Sequence, residues 1–156
     1  DQPVSEMRPV DLIEPPQGGR VVFVGVRATH VDPCGTKITG ALRDLGTNQV
    51  RLDTRTVNLV DDRNGFGRSA PAEIGSYADI PACHNSWSDL DIMDNPFGLE
   101  VVVEDRRARK TTKTFTVIPR CAEPEKQAQC TCICDGDYVL GQACGEGGSG
   151  VGGGGQ

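Results

Sequence analysis

The segment FGLEVVVEDRRARKTTKTFTVIPR, residues 97–120, decides the fold class. Leu99, Val101 and Val103 fall on one face of its first half. Phe115 and Val117 fall on one face of the second half, with Thr114 and Thr116 on the other. A period of two is the signature of a half-buried strand. Residues 105–110 join the halves and carry the basic run RRARK. The segment therefore reads as a β-hairpin with a charged tip. Solvated charge at a tip discourages edge-to-edge pairing; a basic patch for phosphates or lipid headgroups is the sharper reading of the same run.

The same period continues upstream. In RVVFVGVRATHVD, residues 20–32, Val22, Val24 and Val26 point one way and Val21 and Phe23 the other. TKITGALRD, residues 36–44, sets Ile38, Gly40 and Leu42 against Thr39 and Ala41, and residues 45–48 form a turn. QVRLDTRTV, residues 49–57, places Val50, Leu52 and Thr54 inward and Arg51, Asp53 and Arg55 outward. The expected core is Val22, Val24, Val26, Leu52, Leu99, Val101, Val103, Phe115 and Val117. Short alternating strands with turn-rich spacing between residues 20 and 120 predict an all-β chain, an immunoglobulin-like antiparallel β-sandwich. The antibody pattern of two cysteines around a core Trp is absent, because Trp87 follows Cys83.

The flanks differ in composition. Residues 1–19 hold four Pro and two Gly and predict an extended arm, with Val10, Leu12 and Ile13 apolar enough to dock. Residues 61–96 are rich in turn formers, and this loop region is the candidate contact surface. Residues 121–144 form a Cys-rich appendix in which Pro124 opens one or two helical turns. Residues 145–156 carry eight Gly in twelve and have no side chains from which to build a core. The expected organisation is thus arm 1–19, sandwich 20–120, appendix 121–144 and tail 145–156.

The chain has 156 residues and a formal net charge of −6, which argues against a nucleic-acid partner. Its seven cysteines are Cys34, Cys83, Cys121, Cys130, Cys132, Cys134 and Cys144. That density reads as a disulfide framework in an oxidising compartment, hence an exported protein, periplasmic or at the cell surface. Cys134–Cys144 is the expected bridge of highest priority, because it closes a loop of about ten residues around Asp135-Gly136. Cys34–Cys83 would staple a strand end to the long loop, and Cys121 would reach Cys130 or Cys132. Seven is odd, so one cysteine is left over, as a buried free thiol, in a bridge to another chain, or in a bridge to a cysteine outside this segment. Zinc fits poorly, since structural sites space their cysteines two to four apart and Cys130, Cys132 and Cys134 are one residue apart.

No bound cofactor is expected, with calcium the candidate exception, to which Asp89, Asp91 and Asp94, with Asn95, offer clustered oxygens. The spacing is not that of an EF-hand, and acidic loops are commonly just solvated. Asp61, Asp62 and Asn64 make a second cluster. His30 and His84 are the only imidazoles, and an oxidised Cys83 could not partner His84 as a nucleophile. No nucleophile elbow or phosphate loop occurs. The reading is non-catalytic.

The run YADIPACHNSW, then the hairpin ending in Cys121, then CTCICDGDYVLGQAC resembles domains of bacterial cell-envelope lipoproteins. The resemblance implies a lipid anchor upstream of Asp1, an arm serving as tether, and a structural or accessory subunit whose partners are other envelope proteins. The appendix is also similar to the final loop of EGF modules but departs from that motif, and no function is carried over. The alternative is an adhesion-type binding module that uses residues 61–96 for a ligand or calcium. As such a subunit, the chain is expected to lay its tail, residues 145–156, against another chain of the assembly.

Overall fold

The computed structural model describes residues 3–144. The expectation for the tail therefore lies outside the described residues. Ten strands and one α-helix follow the order β1 (Arg8–Leu12), β2 (Arg20–Val24), β3 (Arg27–Ala28), β4 (Thr36–Asp44), β5 (Val50–Val57), β6 (Val60–Asp61), β7 (Gly67–Arg68), β8 (Ala78–Cys83), β9 (Phe97–Glu104), β10 (Lys110–Cys121) and α1 (Gln127–Cys134). The main sheet has the order β1-β10-β9-β4-β5. All its pairs are antiparallel except β1–β10, which is parallel. β2 and β8 form a second, two-stranded sheet, and β3, β7 and β6 a small third one.

The hairpin of residues 97–120 forms as its alternation predicts. Leu99 pairs with Phe115 and Glu104 with Lys110, so the apolar positions of both strands share a face. That face meets β8. Ile38, Leu42, Phe97, Leu99, Val117, Ala78 and Ile80 are all fully buried and form the centre of the core. Gly40 sits between the layers, where an added Cβ would lie 2.9 Å from Ile80 Cδ1. A small residue in the middle of β4 is what lets β8 approach.

The expected core needs three corrections. Leu52 is 55% exposed, because the face of β5 is inverted. Arg55 instead turns inward and bridges Asp53 at 2.7 Å and Asp79 of β8 at 3.2 Å, while Val57 takes the buried apolar position. An ion-pair network to the opposite layer overrides the local apolar pattern. Next, Val101, Val103 and Phe115 are only half-buried, because the two-stranded second sheet covers only part of the five-stranded one, and Val26, half-buried too, falls between β2 and β3. Lastly, residues 78–83, expected within an irregular stretch, form core strand β8. Ala78, Ile80 and Ala82 alternate inward, and Pro81 is accommodated because β8 has only one neighbour.

The arm joins the main sheet. β1 runs beside β10 with Leu12 opposite Cys121, and Leu12 is fully buried. Arg20, also fully buried, holds arm and appendix together. It lies 3.5 Å from Glu14 and 3.3 Å from Glu123, and donates to Gln129 at 3.2 Å. No helix among the described residues is long and apolar enough to cross a membrane.

Candidate functional site: an acidic cavity beside a disulfide

Three disulfides fix the appendix: Cys83–Cys134, Cys121–Cys130 and Cys132–Cys144. The last replaces the expected Cys134–Cys144. Residues 130–134 are helical rather than extended, and on a helix positions two apart face away from each other while positions four apart share a face. Cys130 and Cys134 therefore both point into the core, and Cys132 points out to Cys144. Cys34 does not reach Cys83; it is free and exposed. The two residues lie at opposite ends of β4. The Cys34 end is marked by the Asp32 amide donating to Asp105, and the other end by Ser88 donating to Asp44. Nine residues of strand separate these ends by about 30 Å. The leftover cysteine is thus neither buried nor bridged within the chain.

The sulfurs of Cys121, Cys130 and Cys134 lie within 4.8 Å of one another, and the Met93 thioether is 3.7 Å from Cys121. This is a contact between two neighbouring disulfides, so the sulfur that a zinc ion would need is already bonded. Cys83, bonded to Cys134, is likewise closed to nucleophilic chemistry with its neighbour His84.

The Cys83–Cys134 bridge has a further geometric effect. It joins the residue before the 84–91 loop to the residue before the turn 135–137. Between loop and turn lies an open cavity of about 370 Å³ lined by Asn85, Ser88, Asp89, Leu90, Asp91, Asp135, Gly136 and Asp137. No Lys, Arg or His lines it. Two of the three expected acidic residues, Asp89 and Asp91, reach this cavity. Asp94 does not; its amide donates to the Pro119 carbonyl at 3.1 Å. The other two carboxylates, Asp135 and Asp137, belong to the appendix and were not expected. Only their place after Cys134 hinted at them, and only the correct disulfide pairing would have revealed it.

The cavity wall is held by buried polar contacts. Ser88 donates to Asp44, which is fully buried and also accepts from the amides of Gly46 (2.7 Å) and Thr47 (3.1 Å). The Ser88 hydroxyl outweighs the opposing effect of burial and, with those amides, holds the Asp44 carboxyl down at about 2. Asn85 is 7% exposed; its Nδ2 donates to the Leu90 carbonyl at 2.7 Å, and its Oδ1 has no hydrogen-bond partner.

The second acidic cluster behaves differently. Asp62 accepts from the amides of Asn64 and Phe66 and pairs with Arg27, which also stacks on Phe66 at 3.6 Å. It is satisfied from within. The basic tip is partly neutralised too: Arg109 pairs with buried Asp105, and Arg106 lies 3.4 Å from Asp32. Burial resists ionisation of Asp105, but the amides of Asp32, Arg109 and Arg107, with the Arg109 guanidinium, hold its carboxyl well below the usual range. Comparison of the chain with protein-family models, with curated proteins and with solved structures returned no match.

Proposed function

We propose that this chain is an exported, non-catalytic accessory domain of the bacterial cell envelope, built as an immunoglobulin-like sandwich and working by binding other envelope proteins. The strand orders β10-β9-β4-β5 and β2-β8 support that reading, in which they would take the places of strands G, F, C and C′ and of strands B and E. The observation that carries the compartment is the set of three disulfides. Two of them tie α1 to β8 and β10 and the third ties it to Cys144, and bridges of this kind persist outside reducing cytosol. The support for the accessory role is the sequence resemblance to envelope lipoproteins.

A second reading, an adhesion-type binding module, is favoured by one observation: the acidic cavity at the end of the 61–96 region. Fractionation of cells that make the protein natively, with thiol alkylation before lysis, tests the first reading. The expected result is one alkylated cysteine per chain, recovered in the envelope fraction and cross-linked to other envelope proteins. Recovery in the cytoplasm with all cysteines alkylated overturns it.

A further inference from the structure

We propose that the open edge of β5 pairs, antiparallel and in one register, with β5 of a second copy of this chain. β5 ends the main sheet, with β4 as its one neighbour. Its pairing with β4 fixes which of its groups are free. The Asp44 amide donates to the Gln49 carbonyl, and antiparallel bonding alternates from residue to residue. Residues 51, 53, 55 and 57 therefore bond to β4, while Val50, Leu52, Thr54 and Thr56 turn their amides and carbonyls outward. Among the described residues no second strand takes up these groups, and no backbone bond from a loop does. The side chains of the same residues are exposed, Val50 at 38% and Leu52 at 55%. An edge with unpaired main-chain groups and exposed apolar side chains is a template for adding a strand.

Charge selects a second copy as the added strand, and selects its register. When two identical antiparallel strands pair about a two-fold axis, one residue lies opposite itself. With Leu52 on the axis, Val50 faces Thr54 of the partner subunit, and Arg51 faces Asp53 of the partner subunit, each twice. Arg51 is exposed and, among the described residues, has no ion-pair partner. Asp53 meets Arg55 and the Asp79 amide through Oδ2, so Oδ1 remains for an incoming guanidinium. The neighbouring registers are worse. An axis at Arg51 opposes two arginines, and an axis at Asp53 opposes two aspartates and sets Arg51 against Arg55. Like charges directly opposite one another destabilise a sheet. An axis at Thr54 leaves Arg51 against Val57 and Leu52 against a threonine.

The Leu52 register also matches the hydrogen bonding. Leu52, Val50 and Thr54 all turn their main-chain groups outward, so the three opposed pairs exchange about six main-chain bonds. A ladder of this length is a small interface, which makes the association weak and reversible. It is separate from the chemistry of Cys34. Val57, opposite Thr36, lies about 17 Å along the strand from Leu52. Cys34 is farther still, so the two Cys34 thiols of such a dimer stand at least about 30 Å apart and cannot bridge within it. The pairing depends on this edge alone, so it can fail while the envelope reading stands, and the reverse.

Sedimentation of the oxidised full chain carrying Cys34→Ser, from micromolar to millimolar concentration, tests the pairing. The expected result is a reversible monomer–dimer equilibrium. In that background Arg51→Asp, which sets two carboxylates opposite each other, should weaken association about tenfold or more. Leu52→Lys should abolish it. Arg8→Asp makes the same charge change on β1, the far edge of the sheet, and should associate as the parent does. Leu52→Cys should cross-link to itself in air, because residues opposed in a hydrogen-bonded pair lie about 5.5 Å apart at Cα, within disulfide reach. Thr54→Cys should not. Circular dichroism of each variant checks folding. A monomer at every concentration, parental association in Arg51→Asp or Leu52→Lys, equal loss in Arg8→Asp, or faster cross-linking at residue 54 than at 52 overturns the proposal.

Discussion

Asp44 shows how one side chain can set the acid limit of the fold. It is fully buried at the end of β4, where it caps the turn to β5 and accepts the Ser88 hydroxyl from the loop that walls the cavity. Its carboxyl lies at about 2, below the ordinary value of 3.8, so the folded chain holds it ionised more firmly than the unfolded chain does. The stability it lends is complete above about pH 4 and is lost as pH falls toward 2. Asp105, whose carboxyl is also held down, acts with the same sign. Asp79 acts with the opposite sign, since burial raises its carboxyl despite Arg55. Urea midpoints measured between pH 5 and 2 should fall for the wild type and fall less steeply for Asp44→Asn, which keeps an acceptor but not the charge. Asp44→Ala should lose about 1–3 kcal/mol at neutral pH, because it removes the acceptor of the Gly46 and Thr47 amides and of the Ser88 hydroxyl. An Asp44→Asn slope equal to wild type would show that the acid transition is set elsewhere.

Single elements carry the clearest contrast between local pattern and tertiary demand. In β5 the pattern puts Leu52 inside, but the ion pairs of Arg55 with Asp53 and Asp79 turn the strand over. Leu52→Ala should therefore change stability by less than about 0.5 kcal/mol, whereas Leu42→Ala on β4 should cost about 2–5 kcal/mol. Chemical denaturation separates these outcomes, and a large Leu52 penalty would restore the locally predicted face. The β9–β10 hairpin was legible because large apolar residues alternate with polar ones and a charged tip interrupts them. β8 was not, because its inward residues include two alanines, whose signal is weak, and Pro81 breaks the pattern. Nothing local to β5 announces a carboxylate on β8.

The disulfides belong to the same scale. Cys83–Cys134 spans 51 residues, against 9 for Cys121–Cys130 and 12 for Cys132–Cys144. Loop-closure entropy gives about 4 kcal/mol for the long bridge and about 2.5–3 kcal/mol for each short one. Paired Cys→Ser replacement should rank the melting temperatures accordingly, with the Cys83–Cys134 pair lowest. That bridge also brings the 84–91 loop to the 135–137 turn. The acidic cavity was only half legible for the same reason: Asp89 and Asp91 announce themselves in sequence, but Asp135 and Asp137 join them only through a pairing that spacing alone does not determine.

At the scale of the whole molecule, one cysteine is left at the surface as a free thiol. Six of the seven cysteines are bridged, and Cys34 is free and exposed in the turn that leads into β4. Its amide donates to Asp32 at 3.0 Å, which fixes the turn, while its thiol has no intramolecular partner within reach. An exposed thiol outside a reducing compartment oxidises or couples to another thiol. Of the fates open to the odd cysteine, a buried free thiol, a bridge to another chain or a bridge to a cysteine outside this segment, its exposure removes the first. Purified protein left in air should accumulate a disulfide-linked dimer on a non-reducing gel. Cys34→Ser should stay monomeric on that gel and keep the wild-type melting temperature within about 1 °C, since an exposed thiol without contacts adds little to stability. Mass analysis after alkylation should find a single modified cysteine in the fresh monomer and none in the dimer. A dimer that persists in Cys34→Ser would instead mean that one of the three bridges exchanges between chains, and the ranking of melting temperatures would then identify which.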